Sequence, residues 1–211
     1  MKKDKKNYLR IFISAIMAGV AICIGAIANL SCDNRLVGAL IFSIGLFIVL
    51  VNKYSLFTGA VCFLFKKGGT GILDALIIFL GNAAGAAIAG LAINFTRLDG
   101  IIEKAQSVVA VKSNDGILSI FILAFFCNML IYYAVNGFRE NAHQSAKYIG
   151  IILLIPAFII SSYEHCVANM CYMAIAGNIT KNALIALAAA TVGNSVGGIS
   201  VRLITDYVNK S

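Results

Sequence analysis

The sequence predicts an all-α integral membrane protein with six transmembrane helices, arranged as two inverted repeats of three helices. Three observations support this fold class: an apolar composition, six apolar segments of spanning length, and polar features that occur once in each half of the chain. Hydrophobic residues make up 60% of the 211 residues and charged residues only 12%. Soluble domains are about 45–50% apolar and about 25% charged. Only a lipid bilayer can cover so much apolar surface, so the composition excludes a soluble domain.

Six segments are apolar over the roughly 20 residues that a helix needs to cross the hydrocarbon core. They are 8–30, 36–65, 71–95, 116–138, 148–177 and 182–205. The connections between them are short, and even the longest, near 96–115, is too small for a separate domain. We therefore expect a single transmembrane domain over 1–211, with 1–7 as a short N-terminal segment.

The basic residues indicate the topology of the chain. Lys and Arg number 17 against 9 Asp and Glu, a net charge of +8. If the N terminus is cytoplasmic, eleven basic residues fall on the cytoplasmic side and five on the other, and Lys53 lies within the second segment. Multi-pass proteins carry such an excess of Lys and Arg in their cytoplasmic loops. We expect a plasma (inner) membrane protein with both termini in the cytoplasm and no nucleic-acid partner.

Two of the segments, 36–65 and 148–177, are too long for one crossing. About 30 residues at 1.5 Å per residue would extend roughly 45 Å, whereas the hydrocarbon core is about 30 Å thick. Each segment also has a polar centre, at residues 52–55 and 161–165. Non-helical backbone persists at membrane depth only where protein buries it or where it lines an aqueous cavity. We therefore predict two broken helices, with non-helical backbone near 53–58 and 162–168.

A short motif, G-N-x-x-G, follows each broken segment, at 81–85 and at 193–197. Glycines four residues apart allow close helix packing in membranes. Since each half holds three spans, an odd number, the second half must be inverted relative to the first. Inverted repeats with paired broken helices place their site between the repeats, near the bilayer midplane.

Polar residues at the centres of the spans are the candidate site. His165 is ionisable within a span, which indicates function by default, although a neutral histidine that bridges two helices is the structural alternative. Thr58 lies in the other break and is a candidate partner of His165 across the pseudo-two-fold axis. Asn128, in the fourth span, could hydrogen-bond either of them. We expect Glu164 to face away from His165 and to accept from backbone donors.

Lys112 precedes Asn128 by sixteen residues, or about 24 Å of helix. This spacing predicts Lys112 at the outer mouth of a pore, where a cation attracts anions; a solvated loop lysine is the alternative. The six cysteines show no C-x-x-C spacing. We predict no metal site and no cofactor.

Three strings resemble the formate/nitrite transporter family: Leu56-Phe57-Thr58-Gly59, the run 164–170 (EHCVANM) and Cys127-Asn128. The asparagines of the two G-N-x-x-G motifs also match, and the resemblance covers nearly the whole chain. It implies an aquaporin-like fold, a homopentamer with one pore per subunit, Thr58 and His165 in the loops of the two breaks, and Lys112 as the vestibule lysine. It also implies apolar constrictions above and below the histidine, formed by Phe42, Leu46, Leu56, Phe57, Ile131 and Phe158. The family often has an acidic residue just before L-F-T, where this chain has Ser55, with Lys53 two residues earlier.

The predicted function is a channel for small monovalent anions of weak acids, of the formate, nitrite or hydrosulfide class. An unpaired charge in an apolar constriction is very costly, and neutralisation is the usual escape, so we expect the anion to be protonated transiently during passage. A proton-coupled secondary transporter of a small monocarboxylate, with His165 as its relay, is the alternative. No metal-ligand set and no nucleophile–base pair supports an enzyme.

Overall fold

The computed structural model describes residues 7–209 and is all helical in this range, with no strand. The helices are α1 (Tyr8–Leu30), α2 (Arg35–Val51), α3 (Phe57–Val61), α4 (Ile72–Ile93), α5 (Asp99–Ser113), α6 (Ile117–Glu140), α7 (Gln144–Ile160), α8 (Cys166–Ala176) and α9 (Lys181–Val208). Four of them, α1, α4, α6 and α9, are each long and apolar enough to cross a membrane. They correspond to the first, third, fourth and sixth predicted spans. The N-terminal lysines at positions 2, 3, 5 and 6 lie outside the described residues, as does Lys210.

The other two predicted spans are divided, which confirms both broken helices. The segment 36–65 contains α2 and α3, and the segment 148–177 contains α7 and α8. The non-helical residues are 52–56 and 161–165, so each break begins and ends slightly earlier than predicted. As a result Thr58 lies in the first turn of α3 rather than in the loop, and His165 is the N-cap residue of α8.

The two helices that lead into the breaks, α2 and α7, end in the same way. The residue after each C-cap has a left-handed backbone, with φ of 56° at Lys53 and 53° at Ser162. The next amide then returns to the helix: Tyr54 N–H donates to the Val49 carbonyl at 2.9 Å, and Tyr163 N–H donates to the Phe158 carbonyl at 3.0 Å. This left-handed cap satisfies carbonyls that the helix end would leave unpaired. The sharp turn explains why both breaks need only five residues.

The asparagine of each G-N-x-x-G motif holds the break in its own half. Asn82 Oδ1 accepts from Phe57 N–H at 2.8 Å, and its Nδ2 donates to the carbonyls of Ser55 (2.9 Å) and Ala15 (2.8 Å). In the second half, Asn194 makes the same three bonds, each at 2.8 Å, to the backbone of Cys166, Glu164 and Ala124. The three partners of Asn194 lie the same number of residues after their counterparts. The recurrence of the motif therefore has a structural cause, and the inverted orientation of the halves stays a prediction.

The second glycine of each motif lets two helices approach closely. A Cβ on Gly85 of α4 would overlap the Ile16 carbonyl oxygen of α1, and a Cβ on Gly197 of α9 would overlap the Phe125 carbonyl oxygen of α6. Only glycine fits at such distances. The two long helix pairs, α1 with α4 and α6 with α9, are thus packed by the same device, and each presents an asparagine to the adjacent break.

Helix α5 was not predicted. It occupies the connection near 96–115, and it packs against α8 and α9. Its buried residues are Ile101, Ala105 and Val109, which recur every four residues as expected for one face of an amphipathic helix. The helix is too polar to be recognised as a span, but this periodicity could have identified it.

Candidate functional site

Two cavities of similar size lie beside the two breaks. The first, here called the Lys53 cavity, has a volume of about 490 Å³, and its lining includes Lys53, Ser55 and Leu56 from the first break. The second, here called the Lys112 cavity, has a volume of about 480 Å³, and its lining includes Lys112 and the break residue His165. No described residue lines both cavities. They are therefore separate cavities.

Thr58 and His165, predicted as partners, are joined by a hydrogen bond. Thr58 Oγ1 lies 3.0 Å from His165 Nε2, and the two residues are 0% and 2% exposed. His165 lines the Lys112 cavity, whereas Thr58 follows two residues after Leu56, which lines the Lys53 cavity. His165 thus borders the Lys112 cavity, and a pore that runs past the pair to the Lys53 cavity stays a prediction.

The N-cap of α8 determines the tautomer of His165. The backbone N–H of Ala168 donates to His165 Nδ1 at 3.1 Å, so Nδ1 is an acceptor and carries no proton. In the neutral imidazole one ring nitrogen is a donor and the other an acceptor, so the proton is on Nε2. Nε2–H then donates to Thr58 Oγ1, and the hydroxyl proton of Thr58 is left for another acceptor.

An aromatic layer covers His165 on the side of the Lys112 cavity. The ring of Phe158 is stacked on the imidazole, with centroids 5.7 Å apart, and Phe42 packs at a right angle to Phe158, with centroids 5.6 Å apart. Both phenylalanines are fully buried. The other four residues named for the constrictions, Leu46, Leu56, Phe57 and Ile131, are also buried, and Phe57 packs against Phe79. Their place along a pore stays a prediction.

Asn128 holds the backbone of Thr58 rather than its hydroxyl. Its Nδ2 donates to the Thr58 carbonyl at 3.1 Å and to the Asn194 carbonyl at 2.7 Å. It makes no bond to His165. The prediction of a bond from Asn128 to one member of the pair is thus confirmed for Thr58. By joining α3 to α9, Asn128 fixes the height of the threonine opposite the imidazole.

The alternative interpretation of Lys112, a solvated loop lysine, is wrong, and its place at the outer mouth of a pore stays a prediction. Its Nζ donates to Glu164 Oε1 at 2.6 Å, and the two side chains are 17% and 5% exposed. The estimate of about 24 Å assumed one continuous helix, but α5 ends at Ser113 and α6 begins at Ile117. The turn between them folds Lys112 back onto the second break. It still lines the cavity beside His165, as a buried and ion-paired cation.

The predicted orientation of Glu164 is also wrong. It was expected to face away and to accept from backbone donors, but it lines the Lys112 cavity and accepts from two side chains, Lys112 and Asn169, the latter at 2.7 Å. Sequence reasoning missed Asn169, which lies one turn into α8 and whose Oδ1 has no hydrogen-bond partner. The E-H-x-x-A-N string could have identified Asn169, because it places an amide side chain five residues after the carboxylate of Glu164. Lys112, Glu164 and Asn169 form a connected polar wall beside the imidazole.

Comparison with known proteins gives the same assignment throughout the chain. A sequence model of the formate/nitrite transporter family matches residues 1–208. The formate channel FocB of Escherichia coli (strain K12) is 30% identical over 189 residues, which cover 80% of this chain and 67% of FocB. The nitrite transporter NirC of the same strain is 28% identical over 216 residues, which cover 91% of this chain and 80% of NirC.

Solved structures of the same family have a similar fold. A pentameric formate channel with formate bound superposes with a TM-score of 0.84 at 25% identity, covering 98% of both chains. An ion channel of the same family superposes with a TM-score of 0.85 at 26% identity, covering 96% of this chain and 91% of that one. The proteins named here are channels or transporters, and none is an enzyme. This multi-pass membrane protein belongs to the formate/nitrite transporter family.

Proposed function

We propose that this protein is a channel through which small monovalent anions of weak acids, of the formate and nitrite class, cross the cell membrane. One arrangement carries the proposal: a buried seal, formed by the Thr58–His165 hydrogen bond and the phenylalanines Phe42 and Phe158, which we place between two cavities that basic residues line. Basic residues that form no ion pair within residues 7–209 attract anions, Lys53 in one cavity and Arg35 in the other, and the seal excludes hydrated ions. The arrangement suits a small solute that can shed its charge for a short distance.

The aromatic layer over His165 makes passage of a bare anion energetically unfavourable. A bare anion between Phe42 and Phe158 would lose its hydration without gaining a counter-charge, and the idealised cost of moving a carboxylate into such surroundings is on the order of 20 kcal/mol. A neutral acid of the same size avoids that cost. Protonation before entry therefore lets a weak acid cross where a permanently charged anion of equal size cannot.

The tautomer of His165 indicates where the proton comes from. Its Nδ1 lone pair is engaged by Ala168 N–H, so the ring has no free lone pair with which to take up and relay a proton. Donating Nε2–H instead would leave an anionic ring in a dry site, which is again costly. Water in the cavity is thus the proton source. The role of His165 is to hold Thr58 Oγ1 as an acceptor, so that the threonine hydroxyl proton faces the passing solute.

Flux into liposomes tests the proposal. The purified protein is reconstituted, and light scattering follows swelling in formate, nitrite, hydrosulfide, lactate or chloride. We expect the small weak-acid anions to enter faster as the external pH falls, because a larger fraction is protonated at the seal. Chloride, the anion of a strong acid, is the control and should be excluded. Entry of chloride as fast as formate would contradict the proposal.

A proton-coupled carrier is the second candidate. The observation in its favour is that the two cavities share no lining residue, as expected of a transporter closed between its two openings. Single-channel current steps would support the channel. A fixed ratio of protons to anions, held over a range of gradients, would support the carrier.

We further propose a homopentamer in the inner membrane with both termini in the cytoplasm. The pentameric neighbour supports the assembly, and the many exposed apolar side chains of α2, including Leu36, Leu40 and Phe47, need lipid or another subunit to cover them. Native mass spectrometry of the solubilised protein should show five subunits. Labelling of cysteines introduced at each terminus should occur only from the cytoplasmic side.

A further inference from the structure

The Lys53 cavity carries more unpaired positive charge than an anion with one charge requires. Four basic residues line it, Lys53, Lys66, Lys67 and Arg139, against one carboxylate, Asp74. Within residues 7–209, none of the four forms an ion pair. The Lys112 cavity has only two basic lining residues, Lys112 and Arg35, against two carboxylates, Asp115 and Glu164, and Glu164 already neutralises Lys112.

Local structure positions these cations. Lys53 projects from the left-handed residue that ends α2, with φ of 56°. The ring of Phe63 has two cationic neighbours, with Lys66 Nζ at 5.7 Å and Arg139 Cζ at 5.5 Å from its centroid. Cation–π contacts of this kind restrain long side chains. Three cations from three separate elements are thus gathered around one chamber, whose lining includes Leu56.

We propose that the Lys53 cavity binds a soluble oligophosphate and that the bound anion closes the pore at Leu56. A volume of about 490 Å³ lies in the range of small-molecule sites, about 300–1,000 Å³. Phosphate oxygens accept from guanidinium in a bidentate manner and from ammonium as a point charge, so several linked phosphates match the four cations. Binding stands on the cavity alone, and only the closure rests on the proposed function.

Binding is tested first, by calorimetry of the purified full-length protein with pyrophosphate in a neutral detergent. Lys53→Gly removes one charge and suits the left-handed backbone, whereas alanine would be strained there. Arg139→Gln removes a second charge. Lys181→Gln is the matched control, since Lys181 is exposed at the start of α9 and does not line the cavity.

A charge-assisted hydrogen bond contributes enough for its loss to weaken binding about tenfold. We expect that loss in Lys53→Gly and in Arg139→Gln, and none in Lys181→Gln. Pyrophosphate binding that is equally tight in the parent and in both cavity variants would overturn the proposal. An equal loss in the control would also overturn it, because the effect would then be one of net charge.

Closure is tested by formate flux in liposomes of phosphatidylcholine alone, with pyrophosphate on one side at a time. Block from one side only, relieved in Lys53→Gly and Arg139→Gln, supports the proposal and excludes lipid as the source of phosphate. If pyrophosphate has no effect and the variants respond only to added phosphatidylglycerol, the cations serve lipid headgroups and the proposal is overturned. Tight binding by a parent protein that passes no formate would support the site and contradict the proposed function instead.

Discussion

Replacement of Asn82 by leucine should open the first break, because this side chain satisfies backbone groups that have no other partner. Asn82 is 0% exposed and makes three hydrogen bonds of 2.8–2.9 Å. Leucine has a similar size and keeps the packing against α1. It would leave the buried Phe57 N–H unpaired in a dry site, whereas the Ser55 carbonyl is only partly buried beside the Lys53 cavity and can bond to water. The third partner, the Ala15 carbonyl, lies within a helix and is less affected.

The expected magnitude follows from the cost of an unsatisfied buried group, about 1–3 kcal/mol each. The Phe57 N–H is one such group, so the expected loss is about 1–3 kcal/mol of local stability. Since 1.4 kcal/mol is a factor of ten, the Phe57 amide should exchange its hydrogen with solvent about 5-fold to 150-fold faster in Asn82→Leu than in the parent. Asn194→Leu should have the same effect on the Cys166 amide, because it makes the equivalent bonds in the second half.

Hydrogen–deuterium exchange with mass spectrometry measures both amides in the reconstituted protein. Asn94→Leu is the control, because Asn94 is an exposed asparagine at the end of the same helix as Asn82, and water can replace its contacts. Unchanged exchange at Phe57 in Asn82→Leu would refute the reasoning that the motif asparagine holds the break. A large change in the control would refute it too, by showing that any asparagine near α4 matters as much.

Three further predictions concern the seal and its support. Lys112→Met should lower the free energy of unfolding by about 3–5 kcal/mol, because it removes the ion-pair partner of the buried Glu164 carboxylate. Adding Glu164→Gln should restore the thermal midpoint but not formate flux. Full recovery of formate flux in the double variant would contradict a role for the pair in conduction. Gly85→Leu should abolish assembly on size-exclusion chromatography, because a side chain there overlaps the Ile16 carbonyl oxygen of α1. Gly100→Ala, where a Cβ meets open space, is the control and should assemble normally. A well-assembled Gly85→Leu protein would refute the close approach of α1 and α4. Thr58→Val keeps the shape of the side chain and removes the hydroxyl, so formate flux should fall about 100-fold if the hydroxyl acts as a positioned donor. Thr58→Ser keeps the hydroxyl and should retain most of the flux. Equal formate flux in Thr58→Val and in the parent would contradict the role of the hydroxyl as a donor.

Much of this architecture follows from the sequence, because membrane depth imposes simple rules. An apolar segment longer than the bilayer with a polar centre must break, and residues 52–56 and 161–165 do so. The hydrogen bond between Thr58 and His165 was also predictable, since each residue lies at or just after the polar centre of one of the two long segments. These inferences depend on length, polarity and position, all of which are local properties of the chain.

The placement of Lys112 could not be obtained in that way. Spacing along a helix gives a distance only while the helix continues, and the turn before Ile117 ends that relation. The partner of Lys112 is Glu164, 52 residues away, and a long-range ion pair leaves no periodic signal. The left-handed backbone at Lys53 was equally hidden, since glycine is the usual residue at such a cap. Contacts that depend on how separate elements pack cannot be predicted from the sequence pattern alone.

The central claim is that solutes cross at the buried Thr58–His165 pair. The most direct test compares formate flux through the parent and through His165→Phe in liposomes that contain equal amounts of correctly assembled protein. Phenylalanine fills the space and stacks against Phe158, but it cannot donate to Thr58 Oγ1. The account predicts that flux is abolished or severely reduced while assembly is retained. Near-normal formate flux in an assembled His165→Phe protein would contradict it and would make His165 a structural residue that caps α8.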